Sequence, residues 1–476
     1  MIGSDKRNPM KRNIFLIVGL LLTASVAKAA NEKPAHKNGS RQPVQISVCN
    51  DVPAHPFDLI LGRPTSNSVT ISVLFYQDAE GRIEYGTRSG NLDAASPSQK
   101  FKACEPAEIC LNSLPPDAQI FYRLHTAQTS SPEFSFHTAR PQGGAFKFTI
   151  TADSHLDEHS DCEFYQRTLA NALADKADFN IDLGDTFMTE KHASRTNAAK
   201  QYLSQRFYFG TLCKSAPLFL VLGNHDGESP RGRGDESDSL AIWANATRKK
   251  YYPNPVPDNF YSGDATKHPQ AGLLQDYFAW TWGDALFVTL DPFWFSQPQR
   301  GRKDNWNRTL GTEQYLWLMH TLEKSQAGYK FIFIHHLVGG GDDQCRGGIE
   351  AAPYFEWGGH NRDGSDGFKE NRPGWPLPVH QLLVKNNVTA VFHGHDHLFA
   401  KQELDGIVYQ ECPQPSDPNG SLRNAAAYGY TNGVILASSG HLRVAVSASE
   451  AKVDCVRNDG SIAHTYVITP RVAHFQ

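Results

Sequence analysis

The sequence has little net charge of either sign. Its 476 residues carry 46 lysines and arginines against 50 aspartates and glutamates, which gives a formal net charge of −4. A protein that holds nucleic acid by its phosphate backbone needs a basic surface, so this composition argues against a stable nucleic-acid partner. Hydrophobic residues at 40% and charged residues at 20% are instead typical of a globular protein, and the length allows two or three domains.

The sequence also lacks an apolar run long enough to cross a bilayer, which takes about 20 residues. The longest candidate, residues 14–22, follows Lys11 and Arg12 and precedes the small residues of Ala27-Lys28-Ala29. A charged start, a short apolar stretch and a small-x-small pattern are typical of a secretory signal peptide. We therefore interpret residues 1–29 as a signal peptide and residues 30–45 as a flexible lead-in. We expect a periplasmic or secreted protein without a transmembrane segment.

Cys-x-x-Cys pairs are missing as well, which argues against thiol-based metal ligation or redox catalysis. All eight cysteines follow the proposed cleavage site. An even number in an oxidising compartment favours structural disulfides, and the sequence leaves their pairing open.

Two patterns divide the rest of the chain. Residues 46–140 contain short alternating apolar runs separated by turn residues, which predicts a small β-sandwich that serves for packing or frames the substrate. Residues 141–470 alternate buried strands with helical segments, which predicts a layered α/β core with mixed sheets. Residues 339–376 fit neither pattern and are long enough for a functional loop, which we expect to overhang the site. Its aromatic residues Phe355, Trp357 and Trp375 either contact substrate or pack locally.

Polar clusters directly follow five of the predicted strands in the α/β part. They are Asp153-Ser154-His155, Gly184-Asp185, Gly223-Asn224-His225-Asp226, His335-His336 and His393-Gly394-His395-Asp396-His397. Loops beyond the carboxyl ends of strands are where α/β sheets build their sites, so we expect these residues to converge. The i, i+2 spacing of Asp153 with His155 and of His395 with His397 points both side chains one way if the backbone is extended.

The chemistry of these side chains indicates a metal site. Carboxylate, imidazole and one amide oxygen suit Zn, Mn or Fe, and no thiolate is offered. The glycines before Asp185, Asn224 and His395 allow close approach of the backbone to a crowded site. Each cluster alone is a weak signal, but five of them in this order make coincidence improbable.

With these motifs the sequence resembles the calcineurin-like metallophosphoesterase superfamily. The resemblance implies an α/β (α+β) four-layer sandwich with two metal ions between its sheets. Together with a first domain similar to a fibronectin type III module, the chain resembles the purple acid phosphatase branch. Carried over residue by residue, the family pattern assigns Asp153, His155 and His397 to the first metal, Asn224, His335 and His395 to the second, and Asp185 to both. His335 is preferred over His336, although Leu337 stands where the family has a proline.

The resemblance also implies a reaction. A hydroxide bridging two divalent metal ions would attack a small-molecule phosphate mono- or diester, and His225 would assist the leaving oxygen. Asp226 either orients the His225 ring or caps a turn. Two other functions stay open. One is a metal-containing adhesion or binding protein that has lost turnover. The other is a dinuclear hydrolase of carboxylic esters or lactones, although the order of residues 393–397 differs from the His-x-His-x-Asp-His cluster of those enzymes.

One position departs from the purple acid phosphatase pattern. That branch has a tyrosine three positions after the bridging aspartate, whose phenolate binds ferric iron and gives the colour, whereas this chain has Met188. The branch also lacks a histidine at the position of His155. A neutral imidazole in place of an anionic phenolate weakens the preference for a trivalent ion. The other tyrosines considered as a source of phenolate are Tyr165, Tyr202 and Tyr208, and none is beside a predicted ligand in the sequence.

We therefore predict a colourless protein that two divalent ions (Zn, Mn or Fe(II)) activate after chelation. The measurement is a visible absorption spectrum of aerobically purified protein, followed by chelation and readdition of Mn or Zn in an aryl phosphate assay. An intense visible band that disappears with iron removal would contradict the prediction.

Overall fold

The first strands of the chain form an all-β segment, as the alternating pattern predicted. The computed structural model describes residues 52–229, 239–297, 304–420 and 422–471, so the predicted signal peptide and lead-in lie outside the described residues. The segment contains β1 (Phe57–Gly62), β2 (Val69–Phe75), β3 (Ala79–Gly86), β4 (Ala94–Ala95), β5 (Gln99–Phe101), β6 (Ala107–Leu111), β7 (Gln119–Thr126) and β8 (Phe134–His137). All described residues belong to one compact unit.

The remaining chain alternates strands with helices, as expected for an α/β core. In chain order the elements are β9 (Phe146–Thr151), α1 (Cys162–Ala174), β10 (Phe179–Asp182), α2 (Arg195–Cys213), β11 (Leu218–Leu220), α3 (Leu240–Tyr251), β12 (Ser262–Gly263), β13 (Phe278–Trp282), β14 (Ala285–Thr289), α4 (Thr312–Lys324), β15 (Tyr329–Phe333), α5 (Phe355–Gly358), α6 (Phe368–Asn371), α7 (Val379–Lys385), β16 (Ala390–His393), β17 (Phe399–Leu404), β18 (Ile407–Glu411), α8 (Arg423–Tyr428), β19 (Val434–Leu436), β20 (His441–Val446), β21 (Ala451–Val456) and β22 (Ile462–Ile468).

Three sheets organise these strands. One has nine strands in the order β22-β21-β20-β9-β10-β11-β1-β2-β6, and a second has eight in the order β12-β13-β14-β15-β16-β18-β17-β19. The third contains β4-β3-β7-β8, with β5 paired to β3. Strand β1 pairs in parallel with β11, at Gly62 and Leu218, so part of the all-β segment continues the nine-stranded sheet. The apolar side chains of the all-β segment, such as Ile71, Ile83 and Ile120, form a core between the nine-stranded sheet and the third sheet.

The two large sheets pack face to face through aromatic side chains. Phe148 and Phe179 of the nine-stranded sheet contact Phe287 of the eight-stranded sheet, with ring centroids 5.2 Å apart in both pairs. Helices α1 and α2 cover the outer face of the first sheet, and α4 and α7 cover that of the second. The result is a mixed α/β fold with several sheets, held together by a continuous apolar interior.

The parallel strands of both sheets bring the predicted ligands to one edge. Strands β9, β10 and β11 are parallel neighbours in one sheet, and β14, β15 and β16 in the other. Within four residues after β9, β10, β11, β15 and β16 the chain reaches Asp153, Asp185, Asn224, His335 and His395, respectively. Because parallel strands end at the same edge of a sheet, two facing sheets can converge their ligands there.

The aromatic residues of the 339–376 segment pack locally, so the alternative in which they contact substrate is wrong. Phe355 and Trp357 are almost completely buried. The Trp357 indole donates a hydrogen bond to the Tyr409 hydroxyl at 2.9 Å, and Trp375 stacks on Tyr315 with centroids 3.8 Å apart. These side chains belong to the apolar layer beneath α4 and α7 rather than to a lid.

The described cysteines do not form the expected set of disulfides. Free thiols are found at six positions, Cys104, Cys110, Cys213, Cys345, Cys412 and Cys455. Cys162 is not among the free thiols, and Cys49 lies outside the described residues. Four of the free thiols are buried, where they pack as small apolar side chains.

No helix in the described ranges has both the length and the apolar character that a membrane span requires.

Candidate metal centre

The predicted ligands come together in two groups that share one residue. Asp153, His155, Asp185 and His397 form the first group, and Asp185, His335 and His395 form the second. Within each group, one ligand atom from every side chain lies within 4.8 Å of the others. Asp185 belongs to both groups, as expected of a carboxylate between two metal ions.

The distances place Asp185 at the middle of the cluster. Its Oδ2 lies 3.3 Å from His335 Nε2 and 3.6 Å from His155 Nε2. Asp153 Oδ1 lies 3.6 Å from His397 Nε2, and Asn224 Oδ1 lies 3.1 Å from His335 Nε2. The structure therefore brings all seven predicted ligands to one place.

Two buried polar atoms of the first group lack a partner. Among the described residues, Asp153 Oδ1 and His155 Nε2 are buried and form no hydrogen bond. An unpaired buried polar atom costs free energy, and such atoms in native proteins usually mark an ion or water. The donor set is carboxylate and imidazole, so a divalent metal ion fits these atoms.

The cluster has a charge pattern suited to cations. Burial would raise the pKa of Asp185, but His335 and His225 outweigh it and hold the pKa well below its ordinary value. Burial lowers the pKa of His395 and His397, with nearby positive charges contributing, so both rings are neutral at pH 7. Burial also lowers the pKa of His155 and His335, but the carboxylates beside them outweigh it and raise the pKa of both to about 9. These two rings therefore release a proton when they coordinate a metal, whereas His395 and His397 are already in the coordinating form.

The backbone around the ligands is strained rather than extended. Five ligands have φ in the left-handed region, namely Asp153 (58°), His155 (54°), Asp185 (55°), His395 (82°) and His397 (57°). The i, i+2 explanation for their convergence is therefore wrong, because tight turns and not extended strands aim these side chains. Residues in this region cost about 1–3 kcal/mol each, and such residues concentrate at functional sites.

The glycines before the ligands make room for these turns. A Cβ on Gly223 would lie 2.0 Å from the backbone nitrogen of Asp185, and one on Gly394 would lie 2.6 Å from Asp153 Oδ2. Gly184 has φ of 94° and packs against the backbone of Gly223. Close backbone approach, the reason inferred from the sequence, is therefore present at these positions.

Hydrogen bonds to one nitrogen of each of three histidine rings fix the orientation of these rings. His155 Nδ1 pairs with Asp157 Oδ2 at 3.1 Å, and His335 Nδ1 with the carbonyl of Leu183 at 2.8 Å. His395 Nε2 bonds to the carbonyl of Gln344 at 2.9 Å. Metal-binding histidines commonly use their second nitrogen in this way. These partners could not be predicted from the sequence, because two of the three contacts join distant segments.

His225 lies at the edge of the cluster and is a quarter exposed. Its backbone N–H donates to Asp185 Oδ1 at 2.7 Å, and its Nε2 is 4.0 Å from Asp185 Oδ2. Its Nδ1 is hydrogen-bonded to Glu190, which lies in a short 3-10 turn, Thr189–Lys191. The backbone bond from Thr189 N to the carbonyl of His225 fastens that turn to the site.

Glu190, not Asp226, contacts the ring of His225, so of the two alternatives for Asp226 the orienting role is wrong. Both carboxylate oxygens of the buried Asp226 accept backbone N–H groups, at 2.7 Å from Gly223, 2.8 Å from Thr186 and Phe187, and 3.1 Å from Asp185. Asp226 thus stabilises the turns that carry Asp185 and His225, which is the turn-capping alternative.

Other candidates have identifiable contacts. His336 bonds to the carbonyl of Leu337 and lies outside both ligand groups, which supports the choice of His335. His192 pairs with Gln201, and His360 is exposed on the 339–376 segment. Arg346 lies against the site, because its Nη1 donates to the His395 carbonyl.

Met188 is buried in the turn after Asp185. It occupies the position at which the purple acid phosphatase pattern has the iron-binding tyrosine. The hydroxyl of Tyr165 is bonded to Gln205, and that of Tyr202 to Thr189. Neither of these hydrogen bonds is to a predicted ligand.

Comparison with known proteins identifies the family to which this chain belongs. The sequence profile described as calcineurin-like phosphoesterase matches residues 146–399, more than half of the chain. The chain belongs to the calcineurin-like phosphoesterase family. No match was found among curated proteins.

Two solved structures share the fold over most of the chain. The structure of PhoD is 16% identical with a TM-score of 0.62, covering 88% of this chain and 90% of PhoD. Purple acid phosphatase PPD1 from yellow lupin (Lupinus luteus) seeds is 14% identical with a TM-score of 0.59, covering 86% of this chain and 74% of that one. Both likenesses extend beyond residues 146–399, so they include strands of the all-β segment and agree with the architecture expected from the sequence.

The tight contact at Gly223 yields a prediction. We expect Gly223→Ala to lose bound metal, because a Cβ would collide with the backbone and carboxylate of Asp185. The measurement is metal content per chain, with circular dichroism to monitor the fold. Gly210→Ala in α2 is the matched control, since its Cβ would meet only contacts of 3.9 Å and alanine favours a helix. Equal metal content in both variants would contradict the prediction.

Proposed function

We propose that the protein is a phosphoesterase that uses two divalent metal ions to hydrolyse small phosphate mono- or diesters. The observation that carries the proposal is the pair of ligand groups sharing Asp185, with buried, unpartnered donor atoms on Asp153 and His155. Membership of the calcineurin-like phosphoesterase family supports the reaction class.

The residues have distinct roles in this proposal. One ion would be held by Asp153, His155, His397 and Asp185, and the other by Asn224, His335, His395 and Asp185. When bound, two such ions supply Lewis acidity, which lowers the pKa of a water and neutralises charge on the phosphoryl oxygens. With no thiolate or phenolate among the donors, Zn, Mn or Fe(II) are the suitable ions. Because His395 uses Nε2 for the Gln344 carbonyl, its Nδ1 remains for ligation.

His225 is the proton donor to the leaving oxygen in this proposal. It is the part-exposed histidine beside the cluster, and Glu190 on Nδ1 fixes the ring so that Nε2 faces Asp185. A general acid must reach the leaving group in this way, and orientation by a carboxylate is a common arrangement. Glu190 is thus a positioning residue, which acts through His225.

We also propose that the protein is exported, with residues 1–29 removed as a signal peptide. Support comes from the charged start, short apolar run and small-x-small pattern of the sequence. The eight strands of residues 57–137 support a fibronectin type III-like module within residues 46–140, which frames the phosphoesterase domain of residues 141–470.

The proposed reaction is tested with Asp185→Asn. The metal-loaded protein should hydrolyse p-nitrophenyl phosphate or its diester and not p-nitrophenyl acetate. The variant should lose most bound metal and nearly all activity while its circular dichroism persists, because one neutral amide then replaces the carboxylate shared by both groups. Retention of two ions per chain by the variant would show that Asp185 does not bridge. Hydrolysis of the acetate alone would indicate an esterase, and metal binding without turnover a binding protein.

The His225 and Glu190 roles are tested by leaving-group dependence. His225→Ala should lower kcat by about 10²–10⁴ for an alkyl phosphate, with unchanged metal content. Glu190→Gln should lower kcat less, with KM unchanged. Both losses should shrink for p-nitrophenyl phosphate, whose leaving group departs without protonation. Glu158→Gln, at an exposed carboxylate nearby in the sequence, is the control. Loss of metal in His225→Ala would make His225 a ligand, and equal losses for both substrates would exclude proton donation.

A further inference from the structure

Three hydrogen bonds hold His395, and two of them come from one loop. Its backbone N–H donates to Asp153 Oδ2 at 2.9 Å, and its ring nitrogen Nε2 pairs with the carbonyl of Gln344 at 2.9 Å. Its own carbonyl accepts a hydrogen bond from Nη1 of Arg346, also at 2.9 Å. Because His395 has a φ of 82°, in the left-handed region, its backbone keeps this conformation only if the surroundings fix it.

The Gln344 contact determines which ring nitrogen of His395 can bind a metal ion. A carbonyl oxygen only accepts hydrogen bonds, so Nε2 carries the proton and Nδ1 keeps its lone pair. Ligation through Nδ1 therefore requires the Gln344 carbonyl to stay in place. We call residues 341–346, which include both Gln344 and Arg346, the clamp loop.

The clamp loop is tightly built. Asp342 Oδ1 accepts the backbone N–H groups of Gln344 at 2.9 Å and of Arg346 at 3.0 Å. Just before the loop, Gly340 has a φ of 54°, and a Cβ at this position would lie 2.0 Å from the Cα of Cys345. Because one carboxylate oxygen joins both backbone groups, a shift of Arg346 displaces Gln344 as well.

Arg346 is itself anchored to two other segments. Its Nη1 also donates to Asp396 Oδ1 at 3.1 Å, and its guanidinium lies over the Tyr428 ring of α8, 4.3 Å from the ring centroid. Asp396 is almost completely buried and accepts two further hydrogen bonds at 2.8 Å, from the Gly347 N–H and the Tyr430 hydroxyl. A hydrogen bond between two charged groups is stronger than one between neutral groups, so this anchor favours a single position of Arg346.

We propose that Arg346 is a positioning residue for the second ligand group, which acts through the clamp loop to hold His395 in the orientation and tautomer that bind the second metal ion. The inference rests on the proposed two-metal function and adds to it a residue that acts through a ligand. It also gives a role to the start of the 339–376 segment, whose aromatic residues pack in the core. Partners behind metal ligands commonly change metal affinity by about 10- to 100-fold.

Zinc affinity tests the clamp loop without any turnover. In competition with a chelator, Arg346→Met should weaken one zinc ion about 10- to 100-fold and leave the other unchanged, while circular dichroism monitors the fold. Arg346→Lys, which can still donate to the His395 carbonyl, should restore part of the affinity. Arg362→Met, at an exposed arginine of the same segment, is the matched control and should bind both ions as the wild type does. Wild-type affinity for both ions in Arg346→Met would overturn the proposal.

Two ligand variants show which ion depends on Arg346. His155→Ala removes a ligand of the first group, and His335→Ala removes one of the second. Arg346→Met should weaken the zinc ion that remains in His155→Ala and have no effect on the one that remains in His335→Ala. An equal effect in both backgrounds would show a general structural role and overturn the assignment to the second group.

Gly340→Ala tests the clamp loop without removing a charge. Its Cβ would collide with the backbone of Cys345, so this variant should weaken the same zinc ion as Arg346→Met. Gly364→Ala is the matched control, because Gly364 also has a positive φ (84°) but its Cβ would have nothing within 4 Å. Equal zinc affinity in the two glycine variants would overturn the role of the clamp loop.

Phosphatase activity separates this proposal from the proposed function. Turnover of p-nitrophenyl phosphate, with wild-type zinc affinity in Arg346→Met, would overturn the positioning role and leave the proposed function standing. A second zinc ion that depends on Arg346, in a protein that hydrolyses no phosphate ester, would overturn the proposed function and leave the positioning role standing.

Discussion

The carboxylate of Asp185 is the constraint on which the rest of the site depends. One oxygen accepts the His225 N–H at 2.7 Å, and the other lies within 4.0 Å of His155, His225 and His335. So many imidazoles fit around one carboxylate only if its backbone is sharply turned and its neighbour has no side chain, which Gly223 provides. The carboxylate of Asp226 then accepts hydrogen bonds from the backbone N–H groups that the turn leaves unpaired.

The core of the protein supports this arrangement from both sides. Asp185 follows a strand of the nine-stranded sheet, whereas His335 and His395 follow strands of the eight-stranded sheet. Their distances are therefore set by how the sheets pack, and that packing depends on stacked aromatic rings such as Phe219 and Trp280, 4.0 Å apart. Left-handed backbone at five ligands costs several kcal/mol in total, so a rigid, well-buried core is needed to hold it.

The sequence indicated the residues that the structure brings together because each one follows a buried strand and three follow a glycine. The sequence also predicted the strands of the all-β segment, because alternating apolar residues are a local pattern. It did not predict that β1 would pair with β11, since strand neighbours depend on tertiary packing. Glu190 was missed because its partner, His225, is distant in sequence. Trp357 and Trp375 were ambiguous because aromatic residues in a long loop have the same composition whether they cover a site or extend the core.

The balance between the charges of the proposed metal ions and those of their ligands relates the absence of a phenolate to the charge of the substrate. Among the seven proposed ligands only Asp153 and Asp185 are anionic, so two divalent ions would leave two positive charges uncompensated. A trivalent ion would increase that excess, and Met188 offers no anion to offset it. The excess instead favours a dianionic phosphate as the compensating group.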